Sequence, residues 1–191
     1  MITTYLLGGV PRAGKSIIQQ TLLTKYNIPG ISTDLLREGF MMGLPDFGIK
    51  QDEAGQSDEE KAHILWPYFK GILQARINYQ TPLLIEGTNF LPHYLAEVKA
   101  LPYLRMCMIG YAEISVDQKV SAIKTYQSHD DDWTAEMSDQ ELTDLVQFTK
   151  NVSQRYREEC AQYDIPYFEI TDEFETSTNA VIEYLMRSEH P

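Results

Sequence analysis

The chain has 191 residues, 43% of them hydrophobic, and a formal net charge of −12. That size and content suit one globular domain with a core of its own and exclude a disordered chain. The surplus of acid disfavours polynucleotides and anionic membranes as partners, and no apolar run approaches the roughly 18 residues of a membrane span.

Tyr5-Leu6-Leu7 is an apolar run without polar alternation and predicts a first strand covered on both faces. It leads into GGVPRAGKSI, residues 8–17. From Gly9 to Ser16 this fits G-x-x-x-x-G-K-[ST] in full, after a strand and before a helix. Glycines let successive N–H groups turn into one hollow, a nest for anionic oxygens, and a helix starting near Gly14 adds its positive end. The expected nucleotide contacts are Gly9, Val10, Pro11, Arg12, Ala13, Gly14, Lys15, Ser16 and Ile17. Lys15 is expected on the β- and γ-phosphates, and the Ser16 hydroxyl on Mg²⁺. Arg12 either clamps a phosphate or points to solvent.

Ile31, after Pro29-Gly30, predicts a short second strand. Asp34 follows it. A carboxylate there takes or orients the proton of an acceptor hydroxyl, caps the next helix, or does both. Arg37, one turn on, holds an anionic acceptor or is a surface arginine. Ser57-Asp-Glu-Glu60 forms a capping box, and Pro67 is expected to kink or interrupt the helix behind it. Leu83-Leu84-Ile85 predicts a third strand ending at Glu86-Gly87. Glu86 there faces the cleft, holding a Mg²⁺-bound water or the acceptor, or is bonded to loop amides. Arg76, Asn89 and His93 are weaker candidates for an acceptor pocket.

Leu104 to Ile109 predicts the longest strand, and Tyr167 to Ile170 the last. Ser115-Val-Asp-Gln118 and Ser138-Asp-Gln-Glu141 are further capping boxes. Residues 127–144 hold seven acids and no Lys or Arg, which suits a solvated connector or a mobile lid. The alternation of strands and helices implies a parallel α/β sheet with helices on both faces. Such a fold brings the Thr171–Phe174 connection toward the nucleotide base. Cys107 and Cys160 lie in apolar surroundings and are too few for a disulfide framework. With no signal peptide at the start, they point to the cytoplasm.

With this loop, Asp34-x-x-Arg37 and Ile85-Glu86-Gly87, the chain resembles the small P-loop kinases. These include shikimate and gluconate kinases, nucleoside monophosphate kinases and chloramphenicol phosphotransferase. Residues 31–37 and 84–92 are similar to segments of 2-phosphoglycerate kinase-like proteins. The resemblance spans most of the chain in element order and three short segments in residue identity.

The resemblance implies a P-loop NTPase-type three-layer fold, with a five-stranded parallel sheet in the order 2-3-1-4-5 and a small lid. It implies ATP with Mg²⁺, and a site in which Lys15 and Ser16 are joined by Asp34, Arg37 and Glu86. Many such kinases carry lid arginines, whereas the segment here is acidic. Arg155, out of Lys119, Lys124, Lys150, Arg155 and Arg157, is the cation expected to serve instead. The catalytic set expected is therefore Lys15, Asp34, Glu86 and Arg155, with Asp34, Arg37, Arg76 and Asn89 toward the acceptor.

The activity expected is transfer of the γ-phosphoryl of ATP to a hydroxyl or phosphate of a small metabolite, by a monomer or homodimer. One alternative is a nucleoside or nucleotide kinase in which Arg37 and Arg76 hold a nucleotide phosphate. Another is a non-catalytic nucleotide-binding module. The chain lacks [NT]-K-x-D, so a guanine-nucleotide switch is not expected.

Overall fold

The computed structural model describes residues 2–50, 55–126 and 132–187. Five parallel strands, β1 (Thr4–Gly9), β2 (Gly30–Ser32), β3 (Leu83–Gly87), β4 (Leu104–Gly110) and β5 (Tyr167–Glu169), stand in the order β2-β3-β1-β4-β5. β1 is central, hydrogen-bonded to β3 on one side and β4 on the other, and all six of its residues are buried. That explains why it lacks polar alternation: neither face meets water.

Among the described residues, seven α-helices surround the sheet: α1 (Lys15–Tyr26), α2 (Thr33–Gly43), α3 (Asp58–Ala75), α4 (Pro92–Ala96), α5 (Val116–Tyr126), α6 (Asp139–Tyr163) and α7 (Phe174–Met186). α1 packs on β1, β3 and α7, while α6 packs on β4, β5, α4 and α5. Parallel strands joined by crossovers bring one set of strand ends, those of Gly9, Ser32, Glu86, Gly110 and Glu169, to a common edge. Both cysteines are buried and free. Among the described residues no helix is long and apolar enough to cross a membrane.

The capping boxes form as expected. Ser57 with Glu60 opens α3, Ser138 with Glu141 opens α6, and Ser115 exchanges hydrogen bonds with Gln118 at the start of α5. Pro67 does not interrupt α3, which runs through it. Pro67 and His63 both lie on the solvent side, so the carbonyl that loses its amide partner there is open to solvent. Of the acidic stretch 127–144, residues 127–131 lie outside the described residues. Asp139 to Asp144 are already the first turns of α6.

Arg76 is placed far from any acceptor pocket. Its Nε donates to Thr4 Oγ1 at 3.1 Å, and its NH2 donates to the carbonyls of Thr3 (3.0 Å) and Thr81. Thr4 opens β1 and Gly9 closes it, so this guanidinium sits roughly 17 Å from the loop, at the other edge of the sheet. It ties the end of α3 to the start of β1. Arg76→Met is expected to lower stability by about 2–4 kcal/mol, because buried acceptors lose a charged donor, and to leave nucleotide affinity unchanged. Chemical denaturation with a parallel binding titration checks both halves.

Candidate active site

The loop between β1 and α1 is shaped by two positions where only glycine fits. A Cβ on Gly9 would collide with the Ile109 carbonyl and lie 2.8 Å from its Cγ1. Gly14 caps α1 in the left-handed region, φ 99°, and a Cβ there would lie 2.8 Å from the Phe174 ring. Phe174 opens α7, so the connection after β5 does reach the loop.

Lys15, on the first turn of α1, is buried, and its Nζ donates to the carbonyls of Gly9 (3.2 Å) and Val10 (2.8 Å). Burial pushes its pKa down, while the carboxylates of Glu86 and Asp34 pull it back up. Ser16 and Ile17, next on the helix, are exposed.

Those two carboxylates come from the end of β3 and the first turn of α2. Glu86 is 4% exposed and lies in register between Leu7 of β1 and Ser32 of β2. Burial raises its pKa; Lys15 and a hydrogen bond with Ser32 oppose this, and the Asp34 charge adds to it. Asp34 is the second residue of α2 but does not cap it. The cap is Ser32, whose Oγ accepts from the Asp34 amide at 3.1 Å. The Asp34 side chain is thereby left for other work: its Oδ1 accepts from the Thr88 hydroxyl at 3.3 Å and lies 3.6 Å from Arg37 NH1.

Beside them, Thr33 Oγ1 and both polar side-chain atoms of Asn89 are buried without a hydrogen-bond partner. Buried polar groups without a partner are places where an ordered water or a polar ligand completes the bonding.

The phosphate side holds cations that sequence reasoning placed only loosely. Arg12 does not point to solvent: its NH1 contacts Asp132 Oδ1 at 2.9 Å. Lys119 of α5 is buried, donates to the Arg12 carbonyl at 2.8 Å, and lies 4.4 Å above the Tyr111 ring. Arg155 is not brought here. It pairs with Glu59 of α3 at 2.7 Å and lies 3.9 Å from Glu159 on its own helix. The spacing along α6 could not reveal that a carboxylate from α3 would meet it.

Burial pulls the Lys119 pKa down to about 8, with the Arg12 charge acting in the same direction. Between about pH 8 and the ordinary value of 10.5, the unfolded chain holds a proton that the folded one has released, so this lysine makes stability rise with pH. Lys119→Met is expected to remove that rise. The stability of the variant relative to the wild type should fall by on the order of 2 kcal/mol between pH 7 and 10. Unfolding measured across that range checks it, and a difference independent of pH contradicts it.

Asp34, Glu86, Lys15 and the loop thus share one edge of the sheet, with Arg37 and Thr88 beside Asp34. The residues present fit a triphosphate with a divalent ion. The hollow admits no Cβ at two positions, Lys15, Arg12 and Lys119 gather on it against the net charge, and Ser16 and Glu86 are oxygen donors of the kind Mg²⁺ takes.

Among solved structures, a shikimate kinase from Bacteroides thetaiotaomicron is similar over 96% of this chain and 98% of its own, at 15% identity and a TM-score of 0.56. A gluconokinase from Sinorhizobium meliloti 1021 matches over 97% and 92%, at 14% identity and a TM-score of 0.57. The chain has the small P-loop kinase fold. A sugar kinase from Janibacter sp. HTCC2649 matches over 97% and 95% of the two chains, at 12% identity and a TM-score of 0.54. No family model and no curated protein sequence matches the chain. The likeness shown is therefore one of fold.

Proposed function

We propose that this chain is a small-molecule kinase that moves the γ-phosphoryl of ATP onto a hydroxyl of a small metabolite. One observation carries the proposal: two carboxylates, Glu86 near the end of β3 and Asp34 at the start of α2, stand at the same edge of the sheet as the loop lysine, Lys15. A divalent ion on the triphosphate accounts for one of them, and the other is left for the acceptor. Phosphoryl transfer needs both a held triphosphate and a group that receives the proton of the attacking hydroxyl.

In this reading the loop amides and Lys15 hold the β- and γ-phosphates. ATP with Mg²⁺ supplies the activated phosphoryl group, with Ser16 and Glu86 the residues that would hold the metal. Asp34 takes the hydroxyl proton as the acceptor oxygen bonds to phosphorus and the bond from phosphorus to the ADP oxygen breaks. Thr88 and Arg37 keep the Asp34 carboxylate oriented toward the acceptor. A nucleotide kinase is less well supported, because Arg76 is taken up by the fold and Arg37 already faces Asp34.

The test is ADP formation from Mg–ATP across a panel of hydroxylated metabolites, with wild type, Lys15→Met and Asp34→Asn. Acceptor-dependent ADP formation by the wild type alone is expected. Equal formation by all three proteins contradicts the assignment.

A further inference from the structure

The loop carries a second device, and its interpretation rests on the nucleotide-binding reading above. Arg12 has φ 60°, a left-handed conformation that a residue with a side chain adopts at a cost of about 1 kcal/mol or more. Two contacts hold it there. Lys119 of α5 donates to its carbonyl, and Asp132, 120 residues away in sequence, receives its guanidinium at 2.9 Å.

Asp132 is itself fixed. Its Oδ1 also accepts from the Thr134 amide at 3.0 Å and the Thr134 hydroxyl at 2.7 Å, and its side chain is only 4% exposed. One carboxylate oxygen thus takes three donors, the kind of coordination a phosphate oxygen receives in a nest. Three cations, Arg12, Lys15 and Lys119, converge on a loop that lacks an anion of its own, and Asp132 supplies one.

We propose that Asp132 is a positioning residue that stands in for a phosphate on Arg12. While the loop is empty, the carboxylate keeps Arg12 in its left-handed, inward conformation. When a nucleoside triphosphate arrives, the guanidinium passes from carboxylate to phosphate. Both anions compete for one cation, so Asp132 preserves the shape of the loop and holds down its affinity. No bond is made or broken; an ion pair is exchanged. The acid at position 132 then has a purpose, where an arginine would be expected if that residue itself bound phosphate.

The test is a double-mutant cycle on the affinity for a non-hydrolysable ATP analogue with Mg²⁺, measured by calorimetry on the full chain. Asp132→Asn should tighten binding about fivefold or more. In the Arg12→Met background the same change should have no effect, because the competition has lost its object. A purely structural Asp132 would not show this dependence on Arg12. If Asp132→Asn leaves affinity unchanged or weakens it, or if the gain persists without Arg12, the proposal is overturned. Should Asp132→Asn fail to fold, Asp132→Ser takes its place in the same cycle and is judged by the same outcomes. If the wild type binds no analogue at all, the nucleotide-binding reading itself falls. If it binds and the cycle shows no coupling, only the role of Asp132 falls.

Discussion

Lys15→Met is expected to lower kcat/KM by three orders of magnitude or so while leaving the protein folded. The lysine Nζ is held between the Gly9 and Val10 carbonyls, inside the curve of the loop, so its charge is fixed before any ligand arrives. A preorganised cation in a site shielded from water is worth far more to a migrating phosphoryl group than one in solvent. Removing a single such group costs about 10²–10³ in rate even when it is neutral.

Methionine has nearly the same length and no charge. The two carbonyls lose a donor, but the chain no longer has to bury an ammonium, so the two effects on stability oppose each other. Glu86 changes in a defined direction: without the lysine its pKa, already raised by burial, rises further. Steady-state kinetics with a thermal melt checks the prediction. A loss of activity that merely follows a loss of fold would speak against it.

Asp34→Asn is expected to separate chemistry from binding. Ser32, not Asp34, supplies the helix cap, so the substitution leaves the start of α2 intact. Asparagine also keeps an acceptor oxygen for the Thr88 hydroxyl. What disappears is the ability to take a proton and the charge felt by Glu86 and Lys15. General-base removal of this kind lowers rates about 10²–10⁴-fold, so kcat should fall by that factor, with nucleotide affinity within about twofold of the wild type. The Glu86 pKa should move down, since a like charge is withdrawn. If kcat holds and stability drops, Asp34 is a structural residue.

These expectations follow from parts of the molecule that were legible in the sequence, because their causes are local. The loop needs Gly9 and Gly14 for backbone reasons that act within a few residues, and the three capping boxes are exchanges across three positions. Asp34 and Glu86 were legible as strand ends, since parallel connections deliver strand ends to one edge.

What the sequence hid depends on distance. Arg76 meets Thr4, 72 residues away, and this contact decides that it is a strut and not a ligand. Arg155 is taken by Glu59 of α3, and nothing along α6 announces that. Lys119 and Asp132 lie 107 and 120 residues from Arg12, and only folding shows that the loop already has its cation and a carboxylate to match it. Charge patterns along a chain give the sign of a segment, whereas partners across the fold decide which charges remain available to a substrate.

The most direct test of the account is a calorimetric titration of Mg²⁺ with a non-hydrolysable ATP analogue into the wild type and Lys15→Met. Saturable one-to-one binding by the wild type, weakened about thirtyfold or more in the variant, is the result expected for a phosphate cradle completed by that lysine. Absence of binding in the wild type, or equal affinity in both proteins, would contradict it.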